Sequence, residues 1–338
     1  MVALPFRSEP MPSAEAVPLV WVLHDGKAGM ASQSLGLAEA TGFAFLEKTL
    51  DVRPPWAWLP PQLWLAPLAA VRHEGSPLAP PWPDLIIACG RNTAAPALAV
   101  RSASGGRTVA AQIQDPGVGR REFDLMVVPE HDRLSGPRVL TTKGALHRVT
   151  ADRLAAAAKQ FPGLAALPRP ILGVLIGGSN RAYRLSLGRL GAIAEMIAGA
   201  VRATGGSVVL TPSRRTGEAG IALLRERLNG LPAAVWDMTG DNPYYAYLAL
   251  ADAFLVTADS VSMVSEAAAT GKPVHVIDLP GGDAKFARFH DAMREAGITR
   301  RFAGRIESWR YAPLDDTARA GAALRALVLD RLDRRRAG

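Results

Sequence analysis

Ile171-Leu172-Gly173-Val174-Leu175-Ile176 runs without a polar residue into Gly177-Gly178-Ser179-Asn180-Arg181. An unbroken apolar run of this length reads as a strand buried on both faces, as in a parallel sheet covered by helices. The two glycines let backbone approach an anion closely, and the next helix would aim its first N–H groups at it. Two more junctions of this kind follow. Val208-Val209-Leu210 enters Thr211-Pro212-Ser213-Arg214-Arg215-Thr216, and Phe254-Leu255-Val256 enters Thr257-Ala258-Asp259-Ser260-Val261-Ser262. Three strand ends carrying hydroxyls, arginines and an acid predict a site for a phosphorylated, hydroxyl-rich ligand of the nucleotide-sugar type.

The front half alternates in the same way. Leu19-Val20-Trp21-Val22-Leu23 ends in His24-Asp25-Gly26-Lys27-Ala28-Gly29, with a helix predicted from near Ser32. Residues 84–89 end in Gly90-Arg91-Asn92, and a helix over 93–100 would be capped by Asn92 or Thr93. Strand 109–113 ends in Gln114-Asp115-Pro116, and strand 125–128 ends in Pro129-Glu130-His131-Asp132. After a proline-rich break at 162–170 the plan repeats. Strands are predicted at 171–176, 207–210, 235–236, 253–256 and 274–277. Helices are predicted at 187–204, 218–228, 244–250 and 261–270, with a last helix over 317–332. The expected class is α/β, with two Rossmann-like domains facing across a cleft and ligand held at the carboxyl ends of the strands. The expected division is a disordered leader over 1–17, an acceptor-side domain over 18–165 and a donor domain over 166–312. Residues 313–338 would form a helix packing back on the N-terminal domain.

Composition narrows the partners. With 338 residues, 49% of them hydrophobic, the chain can bury two cores. Its net charge of +8 favours phosphorylated ligands, anionic lipid surfaces or nucleic acid without choosing among them. Cys89 is the one cysteine, which fits a reducing compartment. No secretory signal and no apolar run of membrane-spanning length occurs. A cytoplasmic protein is expected, peripheral on the inner membrane at most. Residues 54–83 hold Trp56, Trp58, Trp64 and Trp82 among prolines and leucines. That density suits a membrane interface. A helix and loop simply packed on the N-terminal domain is the favoured reading, with the membrane interface as its alternative.

Several chemistries are disfavoured. The Gly177-Gly178-Ser179 loop lacks a third glycine at dinucleotide spacing, and the next strand ends in Thr211 rather than an acid. Gly26-Lys27 has no glycine at Walker spacing, no His/Cys spacing suggests a metal, and no Gly-x-Ser-x-Gly elbow occurs. The candidate donor-binding residues are therefore Gly177, Gly178, Ser179, Asn180, Arg181, Thr211, Ser213, Arg214, Arg215, Asp237, Met238, Asp259, Ser260, Ser262, Met263 and Glu266. Arginine offers phosphate a planar fork of donors. Ser262 and Glu266, four apart, share a helix face, where the carboxylate can accept from two ribose hydroxyls. Asp237-Met238 ends a strand where a base edge can be read. On the acceptor side Asp25 is the candidate base, with His24 as its alternate. Gly26, Lys27, Gly90, Arg91, Gln114 and Asp115 are candidates for holding the acceptor. Glu130-His131-Asp132 is a rival acid/base cluster, and Lys285, Arg288 and His290 either reach a sugar or phosphate or, the reading favoured for each, form a solvated helix face.

The ordered motifs His24–Gly29, Gln112–Pro116, Pro129–Asp132, Gly177–Asn180, Thr211–Thr216 and Thr257–Ser260 resemble the mitochondrial-fission "elongated mitochondria" family in its bacterial branch. The resemblance covers about residues 18–315. It implies a fold similar to the two-domain B-type glycosyltransferases, with donor motifs like those of lipid-linked sugar transferases. By that similarity Gly177 to Asn180 would face the diphosphate, Ser213 and Arg214 the phosphates or sugar, and Glu266 the ribose. Plant members are linked to recruiting a dynamin-like protein at mitochondria, and bacterial members are often labelled nucleotide-sugar epimerases. The expected activity is metal-independent transfer of a sugar from a nucleoside-diphosphate donor, without a bound cofactor, to a hydroxyl acceptor that is lipid-linked or free. An adaptor at an anionic membrane surface and a nucleotide-sugar epimerase are the alternatives. No nucleic acid partner is expected.

Overall fold

A computed structural model describes residues 17–73 and 77–337. All but the last residue of the expected leader lies outside that range. The N-terminal half contains β1 (Val20–His24), α1 (Ala28–Thr41), β2 (Leu46–Val52), β3 (Val71–His73), β4 (Leu85–Cys89), α2 (Arg91–Ala103), β5 (Val109–Ile113), β6 (Leu125–Pro129) and β7 (Val139–Thr142). These strands form one sheet in the order β3-β2-β1-β4-β5-β6-β7. Every neighbouring pair is parallel except the hairpin of β2 with β3. The chain then passes through α3 (Ala151–Gln160) and the single turn α4 (Pro162–Ala165).

The C-terminal half contains β8 (Ile171–Ile176), α5 (Leu187–Thr204), β9 (Ser207–Pro212), α6 (Glu218–Arg227), β10 (Ala233–Val235), α7 (Tyr244–Leu250), β11 (Ala253–Thr257), α8 (Val261–Ala268), β12 (Val274–Ile277), α9 (Ala284–Glu295), β13 (Thr299–Arg301) and α10 (Asp316–Ala337). Its six strands are all parallel, in the order β10-β9-β8-β11-β12-β13. β8 is buried along its whole length, as a central parallel strand must be. Local signals set the helix ends. Ser186 caps α5 by accepting from the Arg189 N–H at 3.2 Å, and Gly205, in the left-handed region, ends it.

Two helices cross between the halves. α3, which the sequence reading assigns to the N-terminal domain, packs on α7 of the C-terminal one. α10 returns and lays Ala320, Leu324 and Val328 into the core that Leu35, Leu37 and Ala38 of α1 help to form. Gly321 is what permits this approach, since a Cβ there would lie 2.6 Å from the Ala40 backbone. Gly321→Val is expected to cost about 1–3 kcal/mol by overpacking and to expose α10 to limited proteolysis. Gly199→Ala on α5, where a Cβ meets nothing within 4 Å, is the control and should stabilise by roughly 0.4–1 kcal/mol.

The tryptophan segment divides between its two readings. Trp64 is buried, and Trp56, Leu68 and Trp82 pack on the same core. Trp58 stands out of the surface, 78% exposed.

Candidate functional site

The carboxyl ends of the two sheets meet through α1 and α8. The Ser32 Oγ of α1 donates to Glu266 Oε1 of α8 at 3.1 Å. One turn earlier, a Cβ on Gly29 would sit 3.4 Å from the Ser262 Oγ. The register Gly29–Ser262 and Ser32–Glu266 makes the two helices parallel, so both N-termini open into the same space. α1 starts after Lys27 with no side-chain cap and no acid in its first turn. α8 starts after Ser260, whose hydroxyl accepts from the Met263 N–H at 3.3 Å, and it too has no acid in its first turn. Each N-terminus carries first-turn N–H groups without intrahelical acceptors and the positive end of a helix dipole. Two such ends side by side repel each other, and an anion between them relieves the repulsion.

Glu266 lies one turn inside this space and is only 7% exposed. It accepts from Ser32 and, through its other oxygen, from the Tyr244 hydroxyl. Burial pushes its carboxyl above the usual carboxylate range, while the Tyr244 and Ser32 donors pull the other way. Sequence reasoning placed Glu266 here but missed Ser32 and Tyr244. Their only sequence signal was as helix-start residues, and nothing in sequence pairs Ser32 with a residue 234 positions away.

The glycine loop behaves differently from expectation. The Gly177 N–H donates to Thr257 Oγ1 at 2.8 Å and the Gly178 N–H to Asp259 Oδ2 at 2.9 Å. Both donors are thus spent inside the protein rather than held for a diphosphate. The glycines are needed for another close approach. A Cβ on Gly177 would lie 2.6 Å from Asp259 Cγ, and one on Gly178 would lie 2.5 Å from the Arg215 carbonyl carbon. Ser179 does not start a helix. Its Oγ accepts from the Leu185 N–H at 2.9 Å, and α5 begins only at Leu187. Asn180 Oδ1 accepts from the N–H groups of Ala182 and Tyr183, holding the turn, and Arg181 is exposed.

Asp259 is the acid that organises the loop. Its side chain is fully buried, and Oδ2 pairs with Arg215 at 2.7 Å. Arg215 also donates to the Gly178 carbonyl at 2.8 Å. Both arginines are exposed, but Arg215 is tied to the buried acid, while Arg214 has no partner among the described residues. Thr211 is buried in β9, and Ser213 holds the next turn by accepting from the Arg215 N–H. Asp237 builds a turn of its own, accepting from the Thr239 hydroxyl at 2.6 Å. Met238 follows with φ 71°, one of three non-glycine residues with positive φ among the described residues, of which Gln114 at φ 66° is another. Such positions cost about 1–3 kcal/mol and cluster at functional sites. Met263 is half-buried in the first turn of α8.

On the acceptor side His24 is corrected as alternate base. Its Nδ1 accepts from the Gly26 N–H at 3.2 Å and its Nε2 pairs with Glu47 at 2.7 Å, so neither nitrogen is free. Asp25 keeps its place at the end of β1, paired with Lys27. Gly90, with φ 84, is the N-cap of α2, which puts Arg91 at the first helical position with its side chain exposed. Gln114 Nε2 reaches Gln33 Oε1 at 3.4 Å. Asp115 makes a two-bond pair with Arg120 at 2.7 and 2.5 Å. Burial raises the Asp115 carboxyl, but Arg120 and the Gly117 N–H outweigh it and hold it below the usual range.

The rival cluster is a clasp between the domains. Lys285 of α9 pairs with Asp132 at 2.6 Å, and Arg288 donates to the His131 carbonyl at 3.0 Å. The His131 ring meets Phe289 edge to face, with centroids 5.5 Å apart. His290 turns inward, its Nε2 2.8 Å from the Ala258 carbonyl. Lys285, Arg288 and Phe289 thus join the halves, while His290 bonds within its own half.

Burial pushes the pKa of His147, in the connection between the sheets, down to about 4, and lowers those of His131, His275 and His290 as well. The unfolded chain takes up these protons near pH 6.5, whereas folded His147 does not until about pH 4. The histidines' contribution to stability should therefore be flat above about pH 6.5 and fall from there towards pH 4, with His147 alone accounting for on the order of 2–3 kcal/mol. Urea titrations across that range check this. His147→Gln should flatten the slope.

The family model for mitochondrial fission ELM1 matches residues 28–328. The chain belongs to the mitochondrial fission ELM1 family. It is 36% identical over 273 residues to the Arabidopsis thaliana mitochondrial fission protein ELM1, a match covering 72% of this chain and 63% of that protein. It is 25% identical over 342 residues to the uncharacterized protein RP120 of Rickettsia prowazekii, covering 88% and 95% of the two chains. Among solved structures it superposes on the UDP-GlcNAc 2-epimerase of Methanocaldococcus jannaschii with a TM-score of 0.55 and 11% identity, covering 92% of this chain and 99% of that one. A UDP-glucosyltransferase of Polygonum tinctorium gives 0.50 and 13%, covering 93% of each. The fold is thus the two-domain B-type glycosyltransferase fold, which epimerases share. The missing dinucleotide fingerprint consequently argues only against a nicotinamide-dependent epimerase. Asp25 lies just ahead of the span that the ELM1 family model matches.

Proposed function

We propose that the cleft binds a nucleoside-diphosphate-sugar and transfers its sugar to a hydroxyl acceptor. What supports the reading above all is the meeting of α1 and α8 at uncapped or hydroxyl-capped N-termini, with Glu266 one turn inside. The diphosphate would lie against the first-turn N–H groups of both helices, the Ser260 and Ser262 hydroxyls and Lys27. The ribose hydroxyls would replace Ser32 and Tyr244 as donors to Glu266. The Gly177–Gly178 loop serves as the wall that Asp259 and Arg215 hold in shape.

The reaction follows from that placement. Asp25, released from Lys27, takes the proton of the acceptor hydroxyl as its oxygen forms a bond to the anomeric carbon. The bond from that carbon to the diphosphate oxygen breaks, and the electron pair leaves with the diphosphate. Its growing charge is met by helix N-termini already in position, which is where preorganised donors stabilise most. The two domains exclude water from the space and so limit hydrolysis of the donor.

The test is incubation with a panel of nucleotide-sugars, first by thermal shift and then by release of nucleoside diphosphate. A donor that raises the melting temperature and yields diphosphate with a glycosylated acceptor supports the transferase. A sugar epimerised on its nucleotide makes the protein an epimerase instead. No shift with any donor overturns both readings.

A further inference from the structure

The tip between β2 and β3 presents more apolar surface than a soluble loop needs. Leu65 is 92% exposed, Trp58 78%, Leu63 56% and Leu59 38%, all within eight residues. From Pro54 to Val71 no side chain is charged, while Arg53 and Arg72, at the two ends of that run, are exposed. The tip is built rather than slack. It contains two short turns, Trp56–Trp58 and Pro61–Leu63. Trp64 is buried beneath them, its Nε1–H donating to the Leu59 carbonyl at 3.2 Å. The exposed side chains are thus held outward by a fixed frame.

Its place in the fold matters. β2 runs parallel to β1, and Thr49 lies opposite His24. Val52, three residues on, already stands beyond the carboxyl end of β1, and the tip continues from there. The apolar side chains therefore rise from the rim that carries Asp25. The arginines at the end of α10 face the other way. Arg335 pairs with Asp84 just before β4, and Arg331 with Asp124 just before β6, at the amino ends of the sheet.

We propose that this tip inserts into the interfacial layer of an anionic bilayer and holds the acceptor rim of the N-terminal domain against it, so that the acceptor hydroxyl is carried on a lipid. Only the last clause rests on the transferase reading. Tryptophan and leucine suit the headgroup boundary, and flanking arginines suit anionic lipid. A second copy of the chain is the weaker occupant. A stable pairing needs roughly 800 Å² from each partner, far more than four side chains on a tip offer. A bilayer makes no demand for a matching surface.

The test is co-sedimentation with vesicles of phosphatidylcholine plus phosphatidylglycerol, and with phosphatidylcholine alone. The parent should bind the mixed vesicles, and the double variant Trp58→Ser, Leu65→Ser should bind them about tenfold less or weaker still, with an unchanged melting temperature. Arg53→Ala with Arg72→Ala should lose the preference for the anionic vesicles. Absence of binding by the parent, or equal binding by the double variant, overturns the proposal. So does sedimentation velocity showing a parent dimer that the double variant lacks. Calorimetry of nucleoside diphosphates on the double variant separates the two claims. Nucleotide binding should persist there, and its absence from the parent would sink the transferase reading while leaving vesicle docking intact.

Discussion

Ser262→Asp is expected to weaken nucleoside diphosphate binding by about 100-fold or more while leaving the protein as stable as before or slightly more so. The two effects have one cause. A carboxylate in the first turn of α8 satisfies the dipole end and its free N–H groups, a gain of about 0.3–1 kcal/mol. It does so by standing where the diphosphate would stand. At Ser262 it also faces the first turn of α1 across the domain boundary, beside Gly29. Calorimetry for binding and thermal denaturation for stability read the two effects separately. Ser262→Asn, without the charge, should bind within a few-fold of the parent. Unchanged binding by the aspartate variant would show that the anion lies elsewhere.

Glu266→Ala should also abolish tight binding, for a different reason, and should cost stability. The variant strands the half-buried Tyr244 hydroxyl and removes the acceptor of Ser32. A buried donor left without a partner costs about 1–3 kcal/mol. The nucleotide loses hydrogen bonds to a charged group, each worth about 1.5–3 kcal/mol, or roughly tenfold to a hundredfold in affinity. Glu266→Gln keeps an acceptor and should recover most of the stability but only part of the affinity. Ser32→Ala separates the roles further, since it opens the contact between the domains without touching the group that would receive the ribose. Nucleotide affinity within a few-fold of the parent is expected for it. A loss as large as that of Glu266→Ala would mean that Ser32 itself binds the ligand.

The elements legible in sequence are those with apolar runs or caps written locally. β8, α5, α7 and β12 begin and end where the runs and their flanking turn residues place them. β2 escaped notice because Glu47, Lys48 and Asp51 interrupt it, so it has no clean apolar run. α3 is an alanine-rich helix whose packing on α7 no local pattern announces. α1 begins at Ala28, before the predicted start, because its cap is Lys27 in an extended conformation with no side-chain bond. α2 begins at Arg91 rather than Thr93 because Gly90, with φ 84, makes the entry turn.

The site was legible in its strand ends and not in its wiring. The ends of β8, β9 and β11 are neighbours in the sheet, as their strand-end motifs suggest. Which of them spends its donors on the others depends on pairs about 80 residues apart, such as Gly178 with Asp259. Two adjacent arginines look alike in sequence. The turn after β9 sends Arg215 to Asp259 and leaves Arg214 without a partner among the described residues. The same holds for His24, whose Nε2 is claimed by Glu47 only once β2 lies beside β1.

The central claim is that the N-termini of α1 and α8 together hold a diphosphate. Calorimetric titration of the parent protein with matched nucleosides and nucleoside diphosphates tests it most directly. Micromolar binding of at least one diphosphate, with its nucleoside weaker by about 100-fold, is the predicted result. Equal affinities for the two, or no heat from any diphosphate, would contradict it.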